Sequence, residues 1–582
     1  MKAENYQSDI HESDYLKIYQ NKILDSKSLI SIEGKEKQSL NGMWSYQIDE
    51  YDSALRAKWP LSYDKDPTLP FDFTPEIGEE IKVPAVWNTE KKELRYYEGS
   101  LIYIKHFDID TALLGKERYY LHFEGAGYRT NLFLNGSYIG MHYGLSTPFS
   151  VDVSEEIKEK DNLLIAVVSA ERTHQSIPEK NFDWVNYGGI YRDVFLIGTE
   201  KNAIKRVSVQ YDDKKITIKG EFLSPYKGTL EISSPLFKDS IDVNGKNFVY
   251  IRECSPILWS LENPKLYEIK IKKGNQLLWK DQVGFRTIKC NKSDILLNGK
   301  KIRIKGISLH EESDKHGKAV SQAEIKNALI DAKELGCNLV RLTHYPHSRE
   351  VARIADKLGI LLWEEIPVYW AIDFDSSKAY ADAENQLSEL IIRDISRASV
   401  IFWSVGNENA DTDSRLTFMS KLAKHAKELD PTRFVTAACL VNNVHETVQD
   451  RLMEYLDVIS MNEYCGYYDH DMDKLRRILS NTTLDKPFII SEFGAGAKAG
   501  YHKDASTLFT EEKQEDFYSK QLGIIKNSSL VTGTIIWILY DFRSPRRKNR
   551  EQNGYNSKGL ISSNRKTRKL AYNTIKKFYE ED

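Results

Sequence analysis

The sequence predicts three domains in a row: a β jelly-roll sandwich over residues 1–198, an immunoglobulin-like β-sandwich over 199–288, and a (β/α)₈ TIM barrel over 289–582. Three observations predict this order. The chain has 582 residues, enough for three or four domains at about 150 residues each. Its first two fifths are short alternating apolar runs separated by turn residues. From residue 289 onward, apolar runs instead alternate with amphipathic helical stretches.

The jelly roll is read from YYLHFEG (119–125), NLFLNGSYIG (131–140), NLLIAVVSA (162–170) and DVFLIG (193–198), with Asn135-Gly136 as a strong hairpin signal. The second β block holds RVSVQYD, KITIKGEF, GTLEISS, KNFVYIRE, KLYEIKIKKG and KDQVGFRTI, six or seven strands' worth. The barrel strands are KIRIKGISLHE, NLVRLTHYP, ILLWEEIPVY, SVIFWSVGNE, FVTAACLV, VISMNEYCG, PFIISEFGA and TGTIIWILYDF. Between them lie helices such as SQAEIKNALIDAKELG, opened by a Ser N-cap and closed by Gly336. Eight such units call for a closed barrel.

Composition excludes several function classes. With 82 Lys+Arg against 85 Asp+Glu, the net charge of −3 gives no electrostatic case for nucleic acid or a membrane surface. The opening residues lack the apolar core of a signal peptide, and no run is long enough to span a bilayer. The five cysteines are scattered, with no C-x-x-C pair, which argues against a disulfide framework and a zinc site. A reduced, cytoplasmic protein without metal or cofactor is the expectation.

In a (β/α)₈ barrel the chemistry sits at the C-terminal ends of the strands. Strand four ends in Asn407-Glu408 and strand seven in Ser491-Glu492, so two carboxylates follow buried runs at one barrel mouth. Paired carboxylates are what glycoside hydrolysis needs: one protonates the leaving oxygen, the other attacks the anomeric carbon or activates water. Strand two finishes with Arg341 and His344, strand six with Asn462 and Tyr464, and strand eight carries Trp537. Together they describe a concave, aromatic-lined site with hydroxyl-recognising groups, suited to a sugar.

NLVRLTHYP (338–346) and RASVIFWSVGNE (397–408) resemble the two signature segments of glycoside hydrolase family 2, and SEFG (491–494) resembles its nucleophile segment. LNGMW (40–44), VPAVWN (83–88), YEGSLIYIKHF (97–107), LNGSYIG (134–140), NYGGIYRDV (186–194) and VGFRTI (283–288) resemble the family's N-terminal landmarks in order. The resemblance implies a retaining mechanism with Glu408 as acid/base and Glu492 as nucleophile, and Asn407 on the sugar 2-hydroxyl. Such carboxyl groups sit about 5–5.5 Å apart.

After strand eight, Asn556-Ser557-Lys558 matches the N-x-K motif by which the family's β-glucuronidases hold the substrate carboxylate. An ammonium with an amide donor forms charge-assisted hydrogen bonds to a carboxylate. The same tripeptide pattern recurs at 244–246, 263–265, 298–300 and 564–566, so placement after strand eight is what singles this copy out. NEYCGYY (462–468) resembles the glucuronidase segment that sets two tyrosines, here Tyr464 and Tyr468, around the reactive centre. FDWVNYGGIYR (182–192) resembles the segment whose aspartate, here Asp183, reaches the far hydroxyls, and His344 corresponds to the family's histidine. A terminal β-D-glucuronide is the expected substrate. A β-galacturonidase or β-galactosidase, and a non-catalytic carbohydrate-binding protein, stand as alternatives. Family analogy implies a homo-oligomer, dimer or tetramer.

Three features depart from the pattern. Glu463 adds a carboxylate of unread role, and the loop at 366–380 is short, which leaves the pocket open. The segment RSPRRKNREQ (543–552) is strongly basic and reads as a solvated loop.

Overall fold

The computed structural model describes residues 14–62 and 79–581. The N-terminal unit packs two antiparallel sheets face to face. One orders the strands Glu36–Ser39, Val194–Thr199, Arg118–Phe123 and Phe149–Asp152. The other orders Glu79–Val83, Gly42–Asp49, Ser100–Phe107, Asn162–Ser169, Arg129–Leu134 and Ser137–Tyr143. Trp44, Trp87, Tyr103, Phe123 and Phe149 fill the space between them. At the expected hairpin, Asn135 (φ 51°) and Gly136 (φ 77°) both adopt the left-handed conformation of a two-residue turn.

The second unit has five strands, fewer than the pattern suggests. KITIKGEF and GTLEISS are one strand, Lys215–Ser234, paired along its length with Phe237–Glu253 across a register break between Glu221 and Tyr226. Its first half pairs with Ile204–Asp212 and its second with Tyr267–Lys273, so the sheet folds over its own core of Ile216, Ile218, Phe222, Ile232, Ile269 and Trp279. The bend hides in sequence because both halves keep the same alternation.

The third unit is a closed barrel of eight parallel strands: Ile304–His310, Leu339–Thr343, Leu361–Glu365, Val400–Asn407, Phe434–Leu440, Ile459–Asn462, Phe488–Glu492 and Val531–Ile536. The first barrel helix, Gln322–Glu334, opens with a capping box in which the Ser321 side chain accepts from the Glu324 amide. It ends before Gly336, whose φ of +95° suits glycine. Leu339, Leu361, Trp363, Phe402, Ile489 and Ile535 seal the lower barrel against Trp259 and Ile295. The lower barrel is thus stability-bearing and the polar upper ends are free for chemistry. Among the described residues, no helix is long and apolar enough to cross a membrane.

The jelly roll is locked to the barrel by buried ionic contacts. Arg192 donates to Glu311 Oε2 at 2.6 Å and to the carbonyl of Pro346 at 2.9 Å, while Glu311 Oε1 accepts the Ser348 amide at 2.6 Å. His142 contacts Glu389 at 3.1 Å in full burial. Removing one partner of such a buried pair strands the other charge and costs about 3–5 kcal/mol. Glu311→Ala should therefore lower stability by about that amount in chemical denaturation. Combining it with Arg192→Met should recover part of the loss. Additive losses would show that the two side chains do not depend on one another.

Candidate active site

Strands two, three, four, six and seven end in one hydrogen-bonded cluster around Arg341, which is fully buried on strand two. Its guanidinium donates to both oxygens of Glu365 at 3.0 Å, to Glu492 Oε1 at 2.7 Å and to Asn407 Oδ1 at 2.7 Å. His344 Nδ1 lies 2.7 Å from Glu365 Oε1, and its Nε2 lies 3.8 Å from Glu492 Oε1. Arg341 thus stands beneath the carboxylates with its donors engaged by protein, instead of lining the pocket.

Glu492 takes its second hydrogen bond from the Tyr464 hydroxyl, at 2.9 Å to Oε2. Glu408 accepts from Asn462 Nδ2 at 3.0 Å and from the indole of Trp370 at 2.7 Å, one donor for each oxygen. Asn462 also donates to Asn407 Oδ1 at 3.0 Å and is itself fixed by the Ser491 hydroxyl at 2.8 Å. With its oxygen doubly engaged, the Asn407 amide group is buried without a protein partner.

Glu408 and Trp370 both have φ of +53°, a left-handed conformation costly for bulky residues. The strain is held by its surroundings: the Trp370 amide donates to the Asn407 carbonyl at 2.9 Å, and Asn409 Nδ2 donates to the Trp370 carbonyl at 2.7 Å. Strain that a structure fixes this firmly is characteristic of functional sites.

The cluster carries one guanidinium against three carboxylates. Burial works against charge on Glu365, but Arg341 and His344 hold its carboxyl below the ordinary range. Burial pushes Glu492 up, and Glu408 adds to this, against the opposing pull of Arg341 and the Tyr464 hydroxyl. The net result is a Glu492 carboxyl pushed up to about 8.

A second cluster forms the adjoining wall. Lys558 is 1% exposed, donates to the Tyr468 hydroxyl at 2.7 Å, and faces the rings of Tyr464, Tyr467 and Tyr468 at 5.2, 4.9 and 5.0 Å. Among the described residues no carboxylate pairs with it, and burial lowers its pKa to about 8. Asn556 Oδ1 accepts the Lys558 amide at 3.2 Å and its Nδ2 donates to Asp183 at 3.2 Å. Asp183 also accepts from Ser544 at 2.5 Å and Arg547 at 2.6 Å. The basic segment 543–552 is therefore only partly the solvated loop expected from sequence: Arg547 is half-buried on Asp183, while Arg546, Lys548 and Arg550 remain exposed. Trp537 stacks on His344 at 5.0 Å, and Trp184 from the jelly roll packs against His344 and Tyr369 at 5.7 and 4.9 Å.

All twelve sequence-derived site residues thus fall in these two adjoining clusters. Glu365 was missed, although the rule that found Glu408 applies equally to the Glu364-Glu365 end of strand three. Trp370 was missed because a left-handed tryptophan has no sequence signature. Glu463 serves a local turn: its Oε2 accepts the Cys465 amide at 2.7 Å and its own amide donates to the Glu492 carbonyl at 2.9 Å. Among the described residues no group of three or more His, Cys, Asp or Glu is placed to hold a metal ion.

Family models match twice: "Glycosyl hydrolases family 2, TIM barrel domain" over residues 288–581 and "Glycosyl hydrolases family 2, sugar binding domain" over 37–200. The chain belongs to glycoside hydrolase family 2. A curated β-glucuronidase of Paenibacillus borealis is 28% identical over 92% of this chain and 96% of its own. The solved β-glucuronidase of an uncultured Clostridium sp. superposes with a TM-score of 0.83 at 26% identity, covering 95% of this chain and 99% of that one. A family 2 β-galacturonidase of Eisenbergiella tayi, solved with galacturonate, gives 0.80 at 25% identity, covering 94% and 98%.

Because Arg341 is the cation shared by Glu365 and Glu492, Arg341→Gln should lower kcat at least about 10²–10³-fold, the scale of losing a preorganised electrostatic contact. KM should change far less. Steady-state kinetics on an aryl glycoside check this, and a kcat within about threefold of wild type would contradict it.

Proposed function

We propose that this family 2 enzyme is a retaining β-glucuronidase that removes terminal β-D-glucuronic acid. The observation that carries the reading is Lys558: a buried ammonium with a tyrosine hydroxyl for company and, among the described residues, no carboxylate of its own. Burying an unpaired cation is costly unless a ligand supplies the anion. A C6 carboxylate does so, and Asn556 beside it fixes the backbone that presents the lysine. A neutral hexose would leave the charge unmatched. Glucuronides and galacturonides share that carboxylate. The β-glucuronidase relative aligned along nearly the whole of both chains favours the glucuronide.

In this mechanism Glu492 attacks the anomeric carbon while Glu408 gives its proton to the glycosidic oxygen. Arg341 and Tyr464 both donate to Glu492, one to each oxygen, which orients that carboxylate for attack. Glu408 then draws a proton from water as that water attacks the glycosyl-enzyme, and Glu492 leaves. The free amide donor of Asn407 suits the sugar 2-hydroxyl. Domain limits at 198/199 and 288/289, read from the change in sequence pattern, and a cytoplasmic location, read from the scattered cysteines, belong to the same proposal, with a homo-oligomeric state by family analogy.

Aryl β-glucuronide, β-galacturonide and β-galactoside should be compared with wild type and Lys558→Ala. The expected result is a glucuronide preference that falls by about 2–5 kcal/mol in kcat/KM in the variant. Equal cleavage of all three, untouched by the variant, would overturn the reading.

The lysine also sets a pH dependence. Its depressed pKa of about 8 means the free enzyme's ammonium is present below that value and lost above it. KM for the glucuronide should therefore rise as pH passes about 8, and KM for any neutral glycoside that is cleaved should not. Parallel pH profiles for the two substrates would contradict the carboxylate anchor.

A further inference from the structure

Glu408 marks the side from which the leaving group departs, because an acid/base must reach the glycosidic oxygen. Trp370 donates to Glu408 Oε2 at 2.7 Å, so the indole borders the space beyond that oxygen. The indole stacks on Tyr369 at 4.6 Å and 29°, and its left-handed backbone is pinned by Asn407 and Asn409. It is a rigid ledge.

The guanidinium of Arg546 lies over this ledge, 5.4 Å from the ring centroid. One of its amino groups is held by the side chain of Asn181. Its remaining donors have no protein partner among the described residues, and the side chain is exposed. Its neighbours differ in this respect. Arg547 is consumed by Asp183 at 2.6 Å, Arg543 by the carbonyl of Asp314 at 2.6 Å, and Arg550 approaches Glu551 at 3.6 Å. Two separate segments, 181–184 from the jelly roll and 543–552 after the last barrel strand, thus converge to hold one uncommitted guanidinium beside the acid/base.

We infer that Trp370 and Arg546 form a leaving-group subsite for an anionic aglycone, one carrying a carboxylate or sulfonate-type group next to the scissile bond. This deepens the β-glucuronidase reading and rests on it for the sugar in the pocket. A guanidinium's planar donor fork matches either oxyanion, and its place over the indole, with the hydrogen bond to Asn181, holds the fork beside the ledge.

The test uses three aryl β-glucuronides whose phenols carry a carboxylate, a sulfonate or a neutral carboxamide. Wild type should show kcat/KM about tenfold higher for an anionic aglycone than for the carboxamide at low salt, with the gap closing near about 0.5 M salt. Arg546→Gln should bring the ratio to about one, while Arg550→Gln should keep it. Preference for only one of the two anions would identify the oxyanion and still support the subsite. A wild-type ratio near one, or a ratio that survives Arg546→Gln, would overturn it. If no glucuronide is cleaved, the sugar assignment fails instead, and the same three aglycones on β-galacturonides or β-galactosides read the Arg546 subsite independently.

Discussion

The site depends on one buried cation. Arg341 sits at the end of the second barrel strand without solvent contact and must be neutralised by protein. Glu365 does this from strand three with both oxygens, and Glu492 adds an oxygen from strand seven. Because a guanidinium is planar and never loses its proton, its fork fixes where those carboxylates lie. The same group holds the Asn407 oxygen, and with Asn462 defines the floor on which Glu408 rests. One charge thus ties together residues from four strands.

The barrel does not complete the pocket alone. The jelly roll contributes Asp183 and Trp184 on a loop over the barrel mouth, and the segment after the last strand meets it through Ser544, Arg547 and Asn556. The buried Arg192–Glu311 and His142–Glu389 contacts keep these two units in register. Lys558 sits within this assembly, its backbone held by Asn556. It is buried against three tyrosine rings, and among the described residues no carboxylate pairs with it.

Much of this was legible in the sequence because each signal had a local physical cause. Strand-end carboxylates at 408 and 492 stand out against apolar runs, and Asn135-Gly136 and the Ser321 capping box announce their own geometry. Glu365 was equally visible at the end of its apolar run, but its task is to neutralise Arg341, which only the fold brings beside it. The long bent strand at 215–234 was read as two, since alternation survives a bend. Residues whose roles come from tertiary constraint left no trace. Trp370 reaches Glu408 only through a left-handed backbone. The separate roles of Arg543, Arg546 and Arg547 depend on partners hundreds of residues away.

The central claim is that Glu492, positioned by Arg341 and Tyr464, attacks the sugar. Trapping with a 2-fluoro-substituted glucuronyl fluoride, followed by peptide mass spectrometry, tests it most directly. The account expects one glycosyl group per chain, on the peptide bearing Glu492, and none in Glu492→Gln. A label on Glu408 or Glu463, or turnover of the glucuronide with inversion at the anomeric carbon, would contradict it.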